Sequence, residues 1–157
     1  MQTKTQEFYQ IDKVDKDILL LLIKDAFIPY TEIAKKLIIS SGTVHVRMNK
    51  LKEIGIVKGV HIEIDAAKLG YDICAFLGIF LTRGSAYHDV VTRMKTIPEI
   101  VELHYTTGTY SMFAKIICRD TKHLREVLNE KIQEIKAVER TETFISLEES
   151  ISRQVKL

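Results

Sequence analysis

No apolar run in this sequence is long enough to cross a bilayer: ILLLLI at 18–23 and ICAFLGIFL at 73–81 fall short of the roughly 20 residues that a membrane helix needs. The polar start, MQTKTQEFYQ, has neither the basic end nor the apolar stretch of a secretory signal, so a cytoplasmic protein with no membrane partner is expected. Cysteine is scarce. Cys74 and Cys118 each sit inside an apolar β-like run, where a free thiol acts as a small hydrophobe, and two such residues make no disulfide framework. Net charge is nearly absent too, because +2 is too small to argue for a nucleic-acid partner by itself. The chain also lacks H-E-x-x-H, paired-cysteine metal spacing, a P-loop and G-x-S-x-G, and its histidines are scattered at 45, 61, 88, 104 and 123. No catalytic constellation, metal site or cofactor is expected. What remains, 157 residues that are 46% hydrophobic and 28% charged, suits one ordinary globular domain or two small ones.

The charge that is present is unevenly placed. Lys35, Lys36, Arg47, Lys50, Lys52 and Lys58 are opposed within that stretch by Glu53 alone. The same region reads as short helices. In VDKDILLLLIKDA, Asp15 is the expected N-cap, Val14 staples onto Leu19, and positions 18, 19, 22 and 23 form an apolar stripe. Pro29 disfavours helix at Ile28, and Thr31 is expected to cap a second helix whose Ile33, Ala34 and Leu37 face inward. Ser40 then caps a third, with Ile39 and Val44 as its staple and Val44, Met48, Leu51 and Ile54 as its inner stripe, ending at Gly55. Beyond it, IVKGVHIEID alternates around Gly59 like a short two-stranded ribbon, with Val60, Ile62 and Ile64 on one face.

Three helices and a ribbon over residues 1–65 make a winged helix-turn-helix. The third helix leaves Ser41, Gly42, Thr43, His45, Arg47 and Lys50 off its core face. Its first-turn amides and hydroxyls suit a phosphate, and its basic groups suit phosphates or guanine edges of double-stranded DNA. Helical triads also serve as dimerisation or peptide-docking modules, and the pattern alone leaves that alternative open.

After a linker at 66–72 the period changes. Strands at 73–82, 100–107, 110–118 and 138–147 alternate with helices at 86–96 and 121–135, the β-α-β-β-α-β order of a ferredoxin-like α+β domain over 73–157. ICAFLGIFL is apolar at nearly every position, so both faces of that strand are expected to be buried, one of them by a second subunit. HYTTGTYSMF at 104–113 reads as strand, Gly108 turn and strand. Its small hydroxyl residues also suit a polar pocket.

The segment SSGTVHVRMNKLKEIGIVKG, the LGYD linker and above all YTTGTYSMF resemble the Lrp/AsnC family of transcriptional regulators, and within it the AsnC branch, over roughly residues 11–147. The resemblance implies a DNA-binding domain joined to a RAM-type effector domain, dimers assembling to octamers, and an amino-acid effector in a cleft between subunits. The family's ligand element falls on Thr106, Thr107, Gly108 and Tyr110, flanked by Tyr105 and Ser111, with Gln133 matching a family contact for the ligand side chain. Two departures stand out. Ile38 occupies a turn position where the family usually has glycine, which predicts strain or rearrangement. Ser111 replaces an acidic residue common in relatives, which favours a neutral, amide-bearing effector such as asparagine. Some proteins of this type are sirohaem decarboxylases, and His104 beside the pocket keeps that alternative open, as does a ligand-independent architectural DNA-binding role.

Overall fold

The computed structural model describes residues 10–157; most of the polar start of the chain lies outside them. Among the described residues, one compact unit takes in the chain from residue 10 to Glu63 together with Ser152–Leu157, and the other is Ile64–Ile151. Each has its own hydrophobic core. Among the described residues, no helix is long and apolar enough to cross a membrane.

The first unit is built on α1 (Lys13–Lys24), α2 (Tyr30–Leu37) and α3 (Ser41–Glu53). α1 starts earlier than expected: its N-cap is Asp12, not Asp15. Both residues are good caps, and Asp12 is the one in extended conformation, which moves Asp15 to the third helical position and Val14 into the first turn. The two aspartates then form a reciprocal capping box, with Asp15 N–H on Asp12 Oδ1 at 2.8 Å and Asp12 N–H on Asp15 Oδ2 at 3.4 Å. Thr31 does not cap α2 either. Pro29 holds the cap position with no side-chain bond, and its carbonyl accepts from the amides of Glu32 and Ile33. Ser40 caps α3 as expected, its Oγ accepting from Thr43 N–H at 3.0 Å.

Ile18, Leu19, Ile28, Ile33, Ala34, Val44, Met48 and Leu51 form this core, with Leu37 and Ile39 packed against it. Ile54, expected in the stripe, is exposed because α3 ends at Glu53 and the chain turns at Gly55. The ribbon expected after Gly55 does not form as paired strands. Val60, Ile62 and Ile64 stand exposed, consistent with the marginal stability of a lone two-stranded hairpin.

The second unit opens with a single 3₁₀ turn, Ala67–Leu69, closed by Gly70 in left-handed conformation. It continues as β1 (Ile73–Leu81), α4 (Tyr87–Met94), β2 (Ile100–Tyr105), β3 (Met112–Cys118), α5 (Thr121–Glu126) and β4 (Val138–Ile145). α5 widens into a π-type coil over Val127–Ile132, so the expected helix at 121–135 is only partly α-helical. The sheet is antiparallel in the order β2-β3-β1-β4, with Leu77 opposite Ala114 on one side and Thr143 on the other.

Alternation along the strands divides the sheet into two unlike faces. Ala75, Leu77, Ile79, Met112, Ala114, Ile116 and Cys118 are buried against Val90, Met94, Leu124, Val127 and Ile132 from the helices. Burial pushes the Cys118 thiol up to about 11, as expected of a core cysteine. The opposite face carries aromatic rings. Phe76 stacks on Phe113 at 6.0 Å, and Tyr110 meets Phe80 at 5.2 Å, Phe113 at 5.9 Å and Phe144 at 6.4 Å. Within one chain, therefore, β1 is fully covered on its helix side alone, and Phe76 and Phe80 remain half-buried.

Candidate functional site

The two groups of residues singled out in the sequence fall in different units. In the first unit, Ser41, Gly42, His45 and Lys50 lie exposed on α3. Thr43 is half-buried, its Oγ1 hydrogen-bonded to the Ser40 hydroxyl at 2.8 Å, so it supports the cap. His45 packs edge-on against the Tyr30 ring at 4.7 Å, which steadies its imidazole on the outer face.

Arg47 is engaged differently. Its Nη1 donates to Asp12 Oδ2 at 2.6 Å and to Asp15 Oδ1 at 2.8 Å. Asp15 and then Asp12 hold the guanidinium still more firmly in its charged form, while the Asp15 amide and then Arg47 hold the Asp12 carboxyl below the usual carboxylate range. The aspartates were legible as caps, but their link to a residue more than thirty positions away was not.

The α2–α3 link keeps its form despite Ile38. That residue takes left-handed backbone angles, φ 57° and ψ 46°. Its amide reaches Lys35 O at 3.4 Å and the next amide, Ile39, reaches Ala34 O at 3.0 Å, the paired bonds of a Schellman motif. The turn is not rearranged. The conformation that a β-branched side chain resists is adopted because the helix end needs both bonds.

In the second unit, the hairpin between β2 and β3 presents Thr107, Gly108 and Thr109 at an exposed tip. Gly108 has φ 106°, and a Cβ there would meet no atom within 4 Å, so glycine is needed for the backbone angle rather than for space. Below the tip the loop is tied inward. Thr106 Oγ1 donates to Tyr110 O at 2.8 Å, Ser111 N–H to Ile79 O at 2.9 Å, and Leu81 N–H to Ser111 Oγ at 3.3 Å. Tyr105 leans on the Tyr87 ring at 4.4 Å, on the helix side of the sheet.

Tyr110 leaves the loop in the other direction. Its ring lies over Gly78, where an added Cβ would meet ring carbons at 2.5 Å, and its hydroxyl donates to Glu142 Oε2 on β4 at 2.8 Å. The Glu142 bond, followed by burial, raises the phenol above its usual range. Gln133 is exposed just past the π-type coil. The end of β1 bonds Ser111 through Ile79 and Leu81 and Ala137 through Thr82, so the loop and the segment after Gln133 share one end of the sheet. No hydrogen bond joins Gln133 itself to the loop.

A cavity of this unit lies elsewhere. It holds about 730 Å³ and is lined by Tyr71, Glu99, Val101, Arg119 and His123 among others, and none of the expected ligand residues reaches it. Glu99 Oε1 accepts from Lys131 Nζ at 2.7 Å and pairs with His123 Nε2 at 3.1 Å, while His123 Nδ1 accepts the Arg119 amide at 3.2 Å. With Nδ1 an acceptor, Nε2 carries the ring proton towards Glu99. Burial works to raise the Glu99 carboxyl, but the Lys131 and His123 bonds outweigh it and hold it low. No group of three or more His, Cys, Asp or Glu side chains among the described residues could hold a metal.

Comparison with known proteins agrees with this division. Residues 11–58 match the winged helix-turn-helix DNA-binding family, and residues 74–155 match the Lrp/AsnC ligand binding domain. The chain is 44% identical to regulatory protein AsnC of Haemophilus influenzae, over 94% of this chain and 99% of that one. It is 41% identical to regulatory protein AsnC of Escherichia coli K12, over 96% and 99%. The solved structure of E. coli AsnC matches with a TM-score of 0.89 at 39% identity, covering 94% of this chain and 99% of the other. These relatives are named as regulatory proteins, which favours the regulator reading over the decarboxylase alternative.

Proposed function

The chain belongs to the Lrp/AsnC family of helix-turn-helix transcriptional regulators, and from that premise we propose that it is a cytoplasmic regulator whose DNA binding responds to a small neutral amino acid, asparagine first, held at the Thr106–Ser111 hairpin. The observation that carries the reading is the hairpin tip. It offers exposed hydroxyls and amides around Gly108 and no charged side chain, which suits a zwitterion with an uncharged polar side chain. Thr106 and Ser111 fix the shape of the loop, and Thr107, Gly108 and Thr109 are left for the ligand. Tyr105, Tyr110 and Gln133 form its surroundings. Residues 1–65, 66–72 and 73–157 serve as DNA-binding domain, linker and effector domain.

The aromatic face of the sheet supports self-association, because a contiguous patch of half-buried rings is the kind of surface that a second copy covers. A dimer, and an octamer built from it, would close over the hairpin and form the cleft. A two-fold dimer presents two α3 helices to successive major grooves, about one helical turn apart. There Ser41, Gly42, His45 and Lys50 supply the outward contacts.

Calorimetry with a panel of free amino acids tests the effector. Heat of binding from asparagine, lost in Thr107→Val with Gly108→Val, is the expected result. No heat from any amino acid at millimolar concentration rejects the sensor and leaves an architectural DNA-binding role. Native mass measurement of the same sample reads the assembly.

A further inference from the structure

Arg47 sits on the DNA-reading helix, yet its side chain is only 29% exposed, whereas Ser41, His45 and Lys50 on the same helix stand in the open. The oxygens of its two partners are divided between two tasks. Asp12 Oδ1 and Asp15 Oδ2 close the capping box that starts α1, and Asp12 Oδ2 and Asp15 Oδ1 both receive the single nitrogen Nη1 of Arg47. Asp15 is 4% exposed at its side chain. A guanidinium that swung away to a phosphate would strand that carboxylate in the core, the costly half of breaking a buried pair. The hydrophobic contacts of Val44, Met48 and Leu51 bury one face of α3. Apolar contacts are non-directional and leave a helix some freedom to slide or roll. The bridge to the first turn of α1 is directional and removes it.

We propose that Arg47 is a positioning residue, clamped by the α1 capping box so that α3 meets the major groove at one fixed angle, and not one of the protein's phosphate contacts. This rests on the chain binding DNA through α3. The distinction is measurable because the two roles respond oppositely to the aspartates. Asp15→Asn removes a negative charge from the DNA-binding unit, and long-range electrostatics alone would tighten binding to every duplex. A loosened clamp weakens binding to the specific site and spares non-specific binding.

The experiment uses the full-length protein, a duplex that the wild type selects from a random pool, and an unrelated duplex of the same length. Asp15→Asn, with the half-exposed Asp12→Asn as a second variant should Asp15→Asn fail to fold, is expected to lose roughly five- to ten-fold in affinity for the selected duplex. Affinity for the unrelated duplex stays level or rises. Arg47→Ala gives a similar loss, and combining it with Asp15→Asn adds little. Equal or tighter binding of the selected duplex by the Asp→Asn variants overturns the proposal, as does an Arg47→Ala variant that flattens the salt dependence of both duplexes by about one phosphate contact. A wild type that selects no duplex at all overturns the DNA-binding premise instead, and the clamp with it.

Discussion

Ile38 is the residue at which sequence and conformation disagree most openly. It is 93% exposed, and the left-handed angles cost a β-branched side chain about 1–2 kcal/mol with no packing in return. Ile38→Gly is expected to raise stability by about 1 kcal/mol, the relief of strain being partly offset by the freer unfolded chain. A thermal melt of the two proteins checks this, and an unchanged or lower midpoint would mean that the turn is unstrained. Asp12 offers a pH test. Its folded carboxyl titrates below the ordinary value, so its contribution is present above about pH 4 and fades as pH falls through the folded value. The midpoint difference between wild type and Asp12→Asn should therefore shrink on going from about pH 6 to about pH 3. A difference independent of pH would remove charge from the explanation. At this scale the sequence showed which residues can cap, but not which ones do. Asp12 and Asp15 are chemically equal caps, and Pro29 supplies only a backbone carbonyl, so the choice rests on local φ and ψ.

Elements with a strong period were legible. The stripes of α1 and α3 apart from the exposed Ile23 and Ile54, the β-α-β-β-α-β order and the Gly108 hairpin follow from spacing, since burial on one face imposes the period. What failed was whatever depends on contacts distant in sequence. The 56–65 segment has the alternation of a ribbon but no partner strand among the described residues, and alternation says nothing about pairing. Nothing in the spacing of ICAFLGIFL marks Gly78. It is the gap in which the Tyr110 ring lies. Gly78→Ala should push that ring off the sheet, break its bond to Glu142 and cost about 1–3 kcal/mol. Because the chain has no tryptophan, tyrosine fluorescence is not masked, and the displacement of Tyr110, one of six tyrosines, is read as a change in part of that signal, alongside the melt. A variant with native fluorescence and midpoint would show that the sheet absorbs the methyl group.

At the scale of the whole molecule, two units with separate cores should unfold as two calorimetric transitions. Asp12→Asn should move one and Gly78→Ala the other; a single transition moved by both would mean that the units are energetically one. The aromatic face makes a further demand. If it is where a second copy sits, Phe113→Arg places a charge among the rings and should shift sedimentation towards the monomer while leaving the fold's circular dichroism intact. Unchanged sedimentation would place the contact elsewhere. Sequence composition pointed to this surface through ICAFLGIFL, but which strand face is left open follows only from where the helices pack.

Tyr110 links two of these surfaces mechanically. Its backbone belongs to the hairpin that Thr106 braces, its ring tiles the open side of the sheet, and its hydroxyl is moored on β4. Its ring spans the strand at Gly78, between the loop and Glu142. On the proposed reading, a molecule held at the hairpin would bear on the backbone of the same residue whose ring a second copy would meet.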